Sequence, residues 1–222
     1  MSPREPRSSD WDLPDPRDAE PFEDVVCIGA DLLPGTVLQA YRRGLFPMHL
    51  DEIMLGWWSP DPRGILPLQS LRVSKSLRTS LKRFDITIDR DFEAVMRACA
   101  ETPREHGWIT DEFIDTYCAL HDLGWTHSVE TWNEKGELVG GLYGIEVGGL
   151  FAGESMFHVE RDASKAALVG LVDALSLGGP RLLDVQWATD HLVSMGAIEI
   201  RRDAYLDLLE EALRLPPILS ST

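Results

Sequence analysis

The chain has 222 residues, of which 44% are apolar and 26% charged, proportions that are typical of a soluble folded protein. No apolar run reaches the roughly 18 residues that span a bilayer, and residues 1–24 contain no hydrophobic segment of the secretory type. The three cysteines lie far apart, and the six histidines lack the helical spacing of zinc ligands. We therefore expect a cytoplasmic protein with no membrane span, no disulfide framework and no metal site.

The formal net charge of −16 is unevenly distributed along the chain. Residues 1–31 hold nine acids against three bases, and five prolines fall in the first 21 positions. Such a segment buries too little apolar surface to order itself, so we predict that residues 1–22 form a disordered acidic leader. Residues 62–83 hold six bases and no acid, which indicates either a solvated helix face or a contact surface for a polyanion.

Residues 23–85 are predicted to form a small N-terminal domain. Pro34 and Gly35 begin a short helix that ends at Gly44. A second helix, over residues 74–83, is amphipathic, with an apolar face opposite a basic one. The bases that we assign to a polyanion contact lie on this helix or in the turn before it: Arg63, Lys75, Arg78, Lys82 and Arg83.

Residues 86–222 are predicted to form a single α+β domain. From residue 84 the periodicity predicts, in chain order, a strand (84–89), two helices (91–101 and 110–123), three strands (126–133, 137–146 and 149–157), a helix (162–177), a strand (181–187), a helix (189–195), a strand (198–201) and a last helix (204–213). Three consecutive strands joined by tight turns favour a mixed, largely antiparallel sheet flanked by helices. This order of elements resembles that of the GNAT acyltransferase superfamily.

Three polar residues stand out on the apolar strands of this domain. Glu154 lies at the end of one strand, and Asp184 and Gln186 alternate with apolar residues on another. Buried polar groups of this kind are costly unless they are hydrogen-bonded. They form either a satisfied structural pair or a site in which a negative charge and an amide hold an amine and a carbonyl.

Two segments in the N-terminal part combine aromatic residues with arginines, 41–47 (YRRGLFP) and 57–63 (WWSPDPR). Such segments can stack an unpaired base and hold its phosphate. They can equally close a small apolar core, and the composition alone leaves both readings open.

These motifs together resemble those of the leucyl/phenylalanyl-tRNA–protein transferase family, bacterial aminoacyltransferases of the N-end rule pathway. The resemblance runs from residue 28 to residue 213 and rests on the two segments above together with 108–110 (WIT), 127–130 (HSVE), 140–144 (GGLYG), 153–157 (GESMF), 163–165 (ASK) and 184–186 (DVQ). It implies a GNAT-like C-terminal domain and transfer of Leu or Phe, and less well Met, from aminoacyl-tRNA. The acceptor that it implies is the α-amine of a protein beginning with Arg or Lys, with no metal or bound cofactor; we expect a monomer.

The resemblance also assigns roles to residues by motif position. Asp184 and Gln186 match the catalytic pair, and Glu154 matches an acid of the acceptor region. The walls of the pocket for the amino acid and the terminal adenosine are matched by Tyr41, Met48, Trp108, Tyr117, Leu142 and Phe151. Met48 departs from the family pattern, which usually has Trp there, so either base stacking is weaker or another tryptophan substitutes. The resemblance further implies that the basic residues assigned above to a polyanion contact bind tRNA.

The chemistry needs a neutral amine held beside an activated ester, and it requires no covalent enzyme intermediate. Asp184 could accept the proton directly, or it could hold Gln186, whose carbonyl would orient the amine. A GNAT N-acetyltransferase using acetyl-CoA is an alternative, but residues 158–164 lack the glycines of a pyrophosphate-binding turn. A non-catalytic adaptor that binds tRNA or N-terminal residues is a second alternative.

Overall fold

The computed structural model describes residues 2–51, 54–102 and 109–219. The strands are β1 (Val25–Ile28), β2 (Phe46–His49), β3 (Leu55–Trp58), β4 (Arg63–Ile65), β5 (Asp85–Ile88), β6 (Thr126–Trp132), β7 (Leu138–Val147), β8 (Leu150–His158), β9 (Leu182–Gln186) and β10 (Ile198–Ile200). The α-helices are α1 (Pro34–Arg42), α2 (Lys75–Leu81), α3 (Phe92–Glu101), α4 (Asp111–Asp122), α5 (Ala163–Ser176), α6 (Asp190–Met195) and α7 (Arg202–Leu213). Short 3-10 helices cover Pro16–Asp18 and Leu68–Ser70.

Local sequence chemistry explains where several helices begin. The Ser74 side chain accepts a hydrogen bond from the Leu77 N–H and caps α2, and Asp91 caps α3 in the same way through Ala94. Pro34 stands at the first position of α1, where its missing N–H costs nothing. From residue 85 the predicted order of strands and helices is confirmed.

A seven-stranded sheet with the order β10-β4-β9-β8-β7-β6-β5 forms the centre of the molecule. Only the β8–β9 pair is parallel among the strand pairs that the described residues form, so the predicted mixed, largely antiparallel sheet is confirmed. Helix α5 packs on this sheet at Gly140, where an added Cβ would lie 2.5 Å from the Ala163 Cβ. This close approach brings the start of α5 against β7.

A second sheet of three strands, β1-β3-β2, lies in the N-terminal part of the chain. The change from one sheet to the other falls between β3 and β4, because β4 already pairs with β9 and β10 of the large sheet. The boundary that the sequence predicts, at residue 85, lies later in the chain than this change. Strand β4 thus carries N-terminal residues directly beside Asp184 and Gln186.

The acidic leader differs from the sequence-based expectation, because residues 2–22 pack against the rest of the protein. Leu13 is buried, and the backbone of Arg4 forms hydrogen bonds with Leu123 and with the Trp125 indole. Acidic residues of the leader meet arginines of α1 and its C-cap, as in the Glu5–Arg42 contact of 2.6 Å. The expectation of disorder rests on the leader's own composition, whereas its partners lie far away in the sequence.

The helices of the described residues are too short or too polar to cross a membrane.

Candidate active site

A half-open cavity of about 380 Å³ lies where β8, β9, α5 and α6 meet the β2 strand. Its walls are largely apolar and come from both parts of the chain: Phe46, Pro47, Met48, Leu142, Met156, Leu168, Leu171, Leu183, Val185, Trp187 and Leu192. Polar side chains in its lining include Glu154, Gln186 and His191. An apolar cavity with a few convergent polar groups has the usual character of a small-molecule site.

Asp184 is fully buried and does not line this cavity. Its carboxylate binds Arg63 through two hydrogen bonds, from Nε at 3.0 Å and from Nη2 at 2.6 Å. The Tyr205 hydroxyl donates to the same carboxylate at 2.9 Å. Since these donors surround the carboxylate, Asp184 is held as one half of a buried ion pair and is not turned toward a substrate.

Arg63 is almost wholly buried, so it is withdrawn from the set of tRNA contacts that the sequence predicts. Its guanidinium lies between two rings, 4.9 Å from the centre of Phe46 and 4.4 Å from that of Tyr205. Burial is the largest influence on the pKa of the group and lowers it, but Asp184, Tyr205 and Tyr41 together raise the pKa above its ordinary value, so the guanidinium stays charged. A hydrogen bond that it donates to the Gly44 carbonyl completes its surroundings.

Gln186 ends β9 in an unusual backbone conformation, with a φ of 62°. Its N–H donates to the Asp184 carboxylate at 2.8 Å, and the next N–H, of Trp187, donates back to the Val185 carbonyl. A non-glycine residue persists in this strained region only where its surroundings fix it. Here Asp184 fixes it, and the tight turn presents the Gln186 side chain to the cavity.

Glu154 faces Gln186 across the cavity wall, and the Gln186 Nε2 donates to its Oε1 at 2.8 Å. Burial raises the pKa of Glu154 to about 8, and the nearby charge of Asp184 adds to the rise. Hydrogen bonds from tyrosines and the charge of Arg63 oppose it. Glu154 therefore changes its protonation state near neutral pH, which suits a group that exchanges protons with a substrate.

Tyr41 and Tyr117 lie behind Glu154 rather than in the cavity lining. Their hydroxyls are 2.7 Å apart, and the Tyr117 hydroxyl donates to the Glu154 Oε2 at 3.4 Å. Burial and the charge of Glu154 raise the pKa of both phenols well above the ordinary value, so they remain proton donors. The structure thus brings Tyr41, Tyr117, Glu154 and Gln186 into one hydrogen-bonded group.

The remaining residues that the sequence predicts as pocket walls lie in different places. Leu142 and Met48 lie in the cavity lining. Phe151 does not line it, and its side chain is fully buried in the core beside Leu183. Trp108 lies outside the described residues.

Helix α2 places its basic residues on the protein surface. Lys75, Arg78, Lys82 and Arg83 are all exposed, whereas Leu77 of the same helix is buried. Within residues 2–51, 54–102 and 109–219, no ion pair engages Lys75, Arg78 or Lys82. The face is therefore open to an anionic partner.

Sequence reasoning missed Tyr205 and the Phe46 ring as partners of the ion pair, and Trp187 as a wall of the cavity. The Arg63–Asp184 pair spans 121 positions, so no local pattern indicates it. A charged residue within an apolar core strand is the one signal that points to it, since such a charge requires a partner when it is buried.

Comparisons with known proteins identify the family to which the sequence is related. The family described as leucyl/phenylalanyl-tRNA protein transferase matches residues 65–210, and the N-terminal domain of the same transferase matches residues 30–61. These two matches meet where the chain passes from one sheet to the other. Among solved structures, a GCN5-related N-acetyltransferase from Kribbella flavida is 14% identical, with a TM-score of 0.40 over 75% of this chain and 60% of that chain.

Individual relatives cover most of the chain. The transferase of Pseudoalteromonas atlantica is 45% identical over 196 residues, which are 86% of this chain and 83% of the relative. That of Syntrophobacter fumaroxidans is 49% identical over 192 residues, or 84% and 82% of the two chains. Both are named leucyl/phenylalanyl-tRNA–protein transferase. The chain belongs to the leucyl/phenylalanyl-tRNA–protein transferase family of enzymes.

Proposed function

We propose that this protein, as a monomer, transfers Leu or Phe, and less well Met, from aminoacyl-tRNA to the α-amine of proteins that begin with Arg or Lys. The observation that carries the proposal is the apolar cavity with Glu154 and Gln186 in its wall. An aliphatic or aromatic apolar side chain fits such a cavity, while a charged one would lose its solvation. Family membership favours this reaction over acetyl transfer and over non-catalytic binding.

The hydrogen-bonded group in the wall supports a division of roles. Because the Gln186 amide nitrogen is engaged by Glu154, the amide oxygen is the atom that orients the incoming amine. Glu154, rather than Asp184, is the proton acceptor, since Asp184 is enclosed by Arg63 and Tyr205. Asp184 is a positioning residue that acts through the backbone of Gln186.

The reaction then balances without a further reagent. The neutral amine attacks the ester carbonyl, a C–N bond forms, and the C–O bond to the ribose breaks. The Glu154 carboxylate takes the proton that the nitrogen loses and returns it to the departing ribose oxygen. A carboxyl group with a pKa of about 8 is matched to an α-amine whose pKa is about 7.7–8.0, so transfer is feasible in both directions.

The terminal adenine of the donor is proposed to rest on aromatic surface beside Met48. Trp187 lines the same cavity and packs edge-on against Phe46 and Trp58, with ring centres 5.3 Å and 6.0 Å away. Trp187 is therefore the tryptophan that supplies a stacking surface where Met48 replaces the usual one. The rest of the tRNA is proposed to meet the basic face of α2, with phosphate contacts that are independent of base sequence.

A direct assay of the function compares donors and acceptors. Labelled Phe should pass from Phe-tRNA to a peptide beginning with Arg and fail to pass to the same peptide with an acetylated N-terminus. A Met156→Trp variant, which narrows the cavity, should lower Phe transfer about tenfold more than Leu transfer, since apolar pockets discriminate by roughly 1–3 kcal/mol per methylene. Absence of transfer to the free peptide would contradict the proposed function, and an equal effect on both donors would contradict the assignment of the cavity.

The role of Glu154 is tested by the pH dependence of kcat/KM in the wild type and in Glu154→Gln. The titration of the amine affects kcat/KM equally in both enzymes. The ratio of wild-type kcat/KM to that of the variant therefore reports the titration of Glu154 alone. Its raised pKa means that the carboxylate is lost below about pH 8, so the ratio should rise from pH 6 and level off above pH 8. The plateau should reach about 10²-fold, a typical contribution of a general base. A ratio that is constant with pH would show that Glu154 accepts no proton.

Salt dependence tests the tRNA contact of α2. The double variant Arg78→Ala/Lys82→Ala removes two exposed bases, and Lys135→Ala/Arg214→Ala removes two exposed bases elsewhere. We expect the first to raise KM for Phe-tRNA and to reduce its salt slope by roughly 1.4–1.8, because each phosphate that is no longer neutralised lowers the slope by about 0.7–0.9. The second variant should behave as the wild type. Equal changes in both would mean that net charge matters and that α2 does not contact tRNA.

A further inference from the structure

Three basic side chains from different elements lie in the cavity lining or a few residues from lining residues, at what we call the rim, and the proposed reaction uses none of them. His158 ends β8, Lys165 lies in the first turn of α5, and His191 lies in α6. His191 itself lines the cavity. His158 is exposed, and Lys165 and His191 are half-buried, so the group is open to a ligand.

The arrangement of the cavity walls explains why these bases meet. On β8, His158 comes two residues after the lining residue Met156, so both side chains lie on one face of the strand. On α5, Lys165 comes three residues before the lining residue Leu168, which places it one turn further along the same face. His158 and Lys165 therefore extend the cavity walls of β8 and α5 toward the start of α5.

Electrostatic coupling agrees with the closeness of these bases to one another. Burial lowers the pKa of His191, and the nearby Lys165 and His158 lower it further. Two acids between His158 and Lys165 in the sequence are engaged by other groups. Glu160 accepts from the Asn133 amide at 2.9 Å, and Asp162 accepts from the Ser80 hydroxyl at 2.7 Å.

The contact between Ser80 and Asp162 also connects the rim to the basic helix. Ser80 belongs to α2, and Asp162 is the residue before α5. The start of α5, with Lys165, therefore lies beside the helix that carries Lys75, Arg78 and Lys82. The start of α5 thus connects α2 with the cavity wall.

We propose that His158, Lys165 and His191 bind the phosphate that joins the terminal adenosine of aminoacyl-tRNA to the preceding nucleotide. The inference rests on the proposed function and names a phosphate subsite for its donor. The Lys165 ammonium and the imidazole N–H groups of His158 and His191 suit a phosphodiester, and the positive charge repels an N-terminus beginning with Arg or Lys, so the acceptor enters the cavity from another side. The phosphate would fix the adenosine so that the aminoacyl group points into the apolar cavity.

The test uses two small donors that differ only in this phosphate. One is adenosine and the other adenosine 5′-monophosphate, each carrying phenylalanine as an ester on a ribose hydroxyl. In the wild type we expect the phosphorylated donor to have a KM about tenfold lower, as for one charge-assisted hydrogen bond. Lys165→Gln and His191→Gln should each reduce this advantage in KM to less than about threefold, whereas Lys165→Arg should keep it. The matched control Lys135→Gln removes an exposed lysine of the β6–β7 turn and should behave as the wild type.

The outcomes separate the two claims. Equal KM values for both donors in the wild type would overturn the phosphate subsite while leaving the transferase function standing. An advantage that survives in both Lys165→Gln and His191→Gln would place the phosphate elsewhere and would also overturn the subsite. Failure of both donors and of Phe-tRNA would overturn the proposed function, and the subsite with it.

Discussion

The buried ion pair between Arg63 and Asp184 is the interaction on which the rest of the site depends. Arg63 comes from β4 and Asp184 from β9, and the pair is enclosed by Tyr205 of α7 and by Phe46 of β2. Burying two charges is expensive, and the attraction compensates only when each has good hydrogen bonds. Here the Gly44 carbonyl, the Tyr205 hydroxyl and the Gln186 N–H supply them. The pair joins β4 to β9 at the edge of the cavity, and through Gly44 and Phe46 it also holds the N-terminal part of the chain there.

The two buried carboxyl groups of the site differ because their surroundings differ. Asp184 has a cation beside it and is used to hold a strained turn, which in turn aims the Gln186 side chain. Glu154 is hydrogen-bonded to an amide and to phenols and has Arg63 only at a distance, so burial raises its pKa to about 8. Two carboxyl groups in contrasting environments are a recurrent basis for separate roles in one site. This contrast, rather than the presence of either residue alone, supports Glu154 as the proton acceptor.

Local chemistry makes much of the fold predictable from sequence. The cap residues Ser74 and Asp91 mark where helices begin, and the three-strand meander follows from period and turns. The polar residues of β8 and β9 are found because polar groups on core strands are rare. The sequence-based expectations that fail are those that depend on contacts between distant segments of the chain. Arg63 looks like a member of the basic stretch, since its partner lies 121 positions away, and the leader's order depends on buried Leu13 and on arginines of α1.

The central claim is that Arg63 and Asp184 act as one unit, and a double-mutant cycle of urea unfolding tests it most directly. Arg63→Met and Asp184→Asn should each lower the free energy of unfolding by about 3–5 kcal/mol, because each leaves a buried group without its partner. The double variant should lose at least about 2 kcal/mol less free energy of unfolding than the two single variants lose together. Additive losses, or an Asp184→Asn variant as stable as the wild type, would contradict the account.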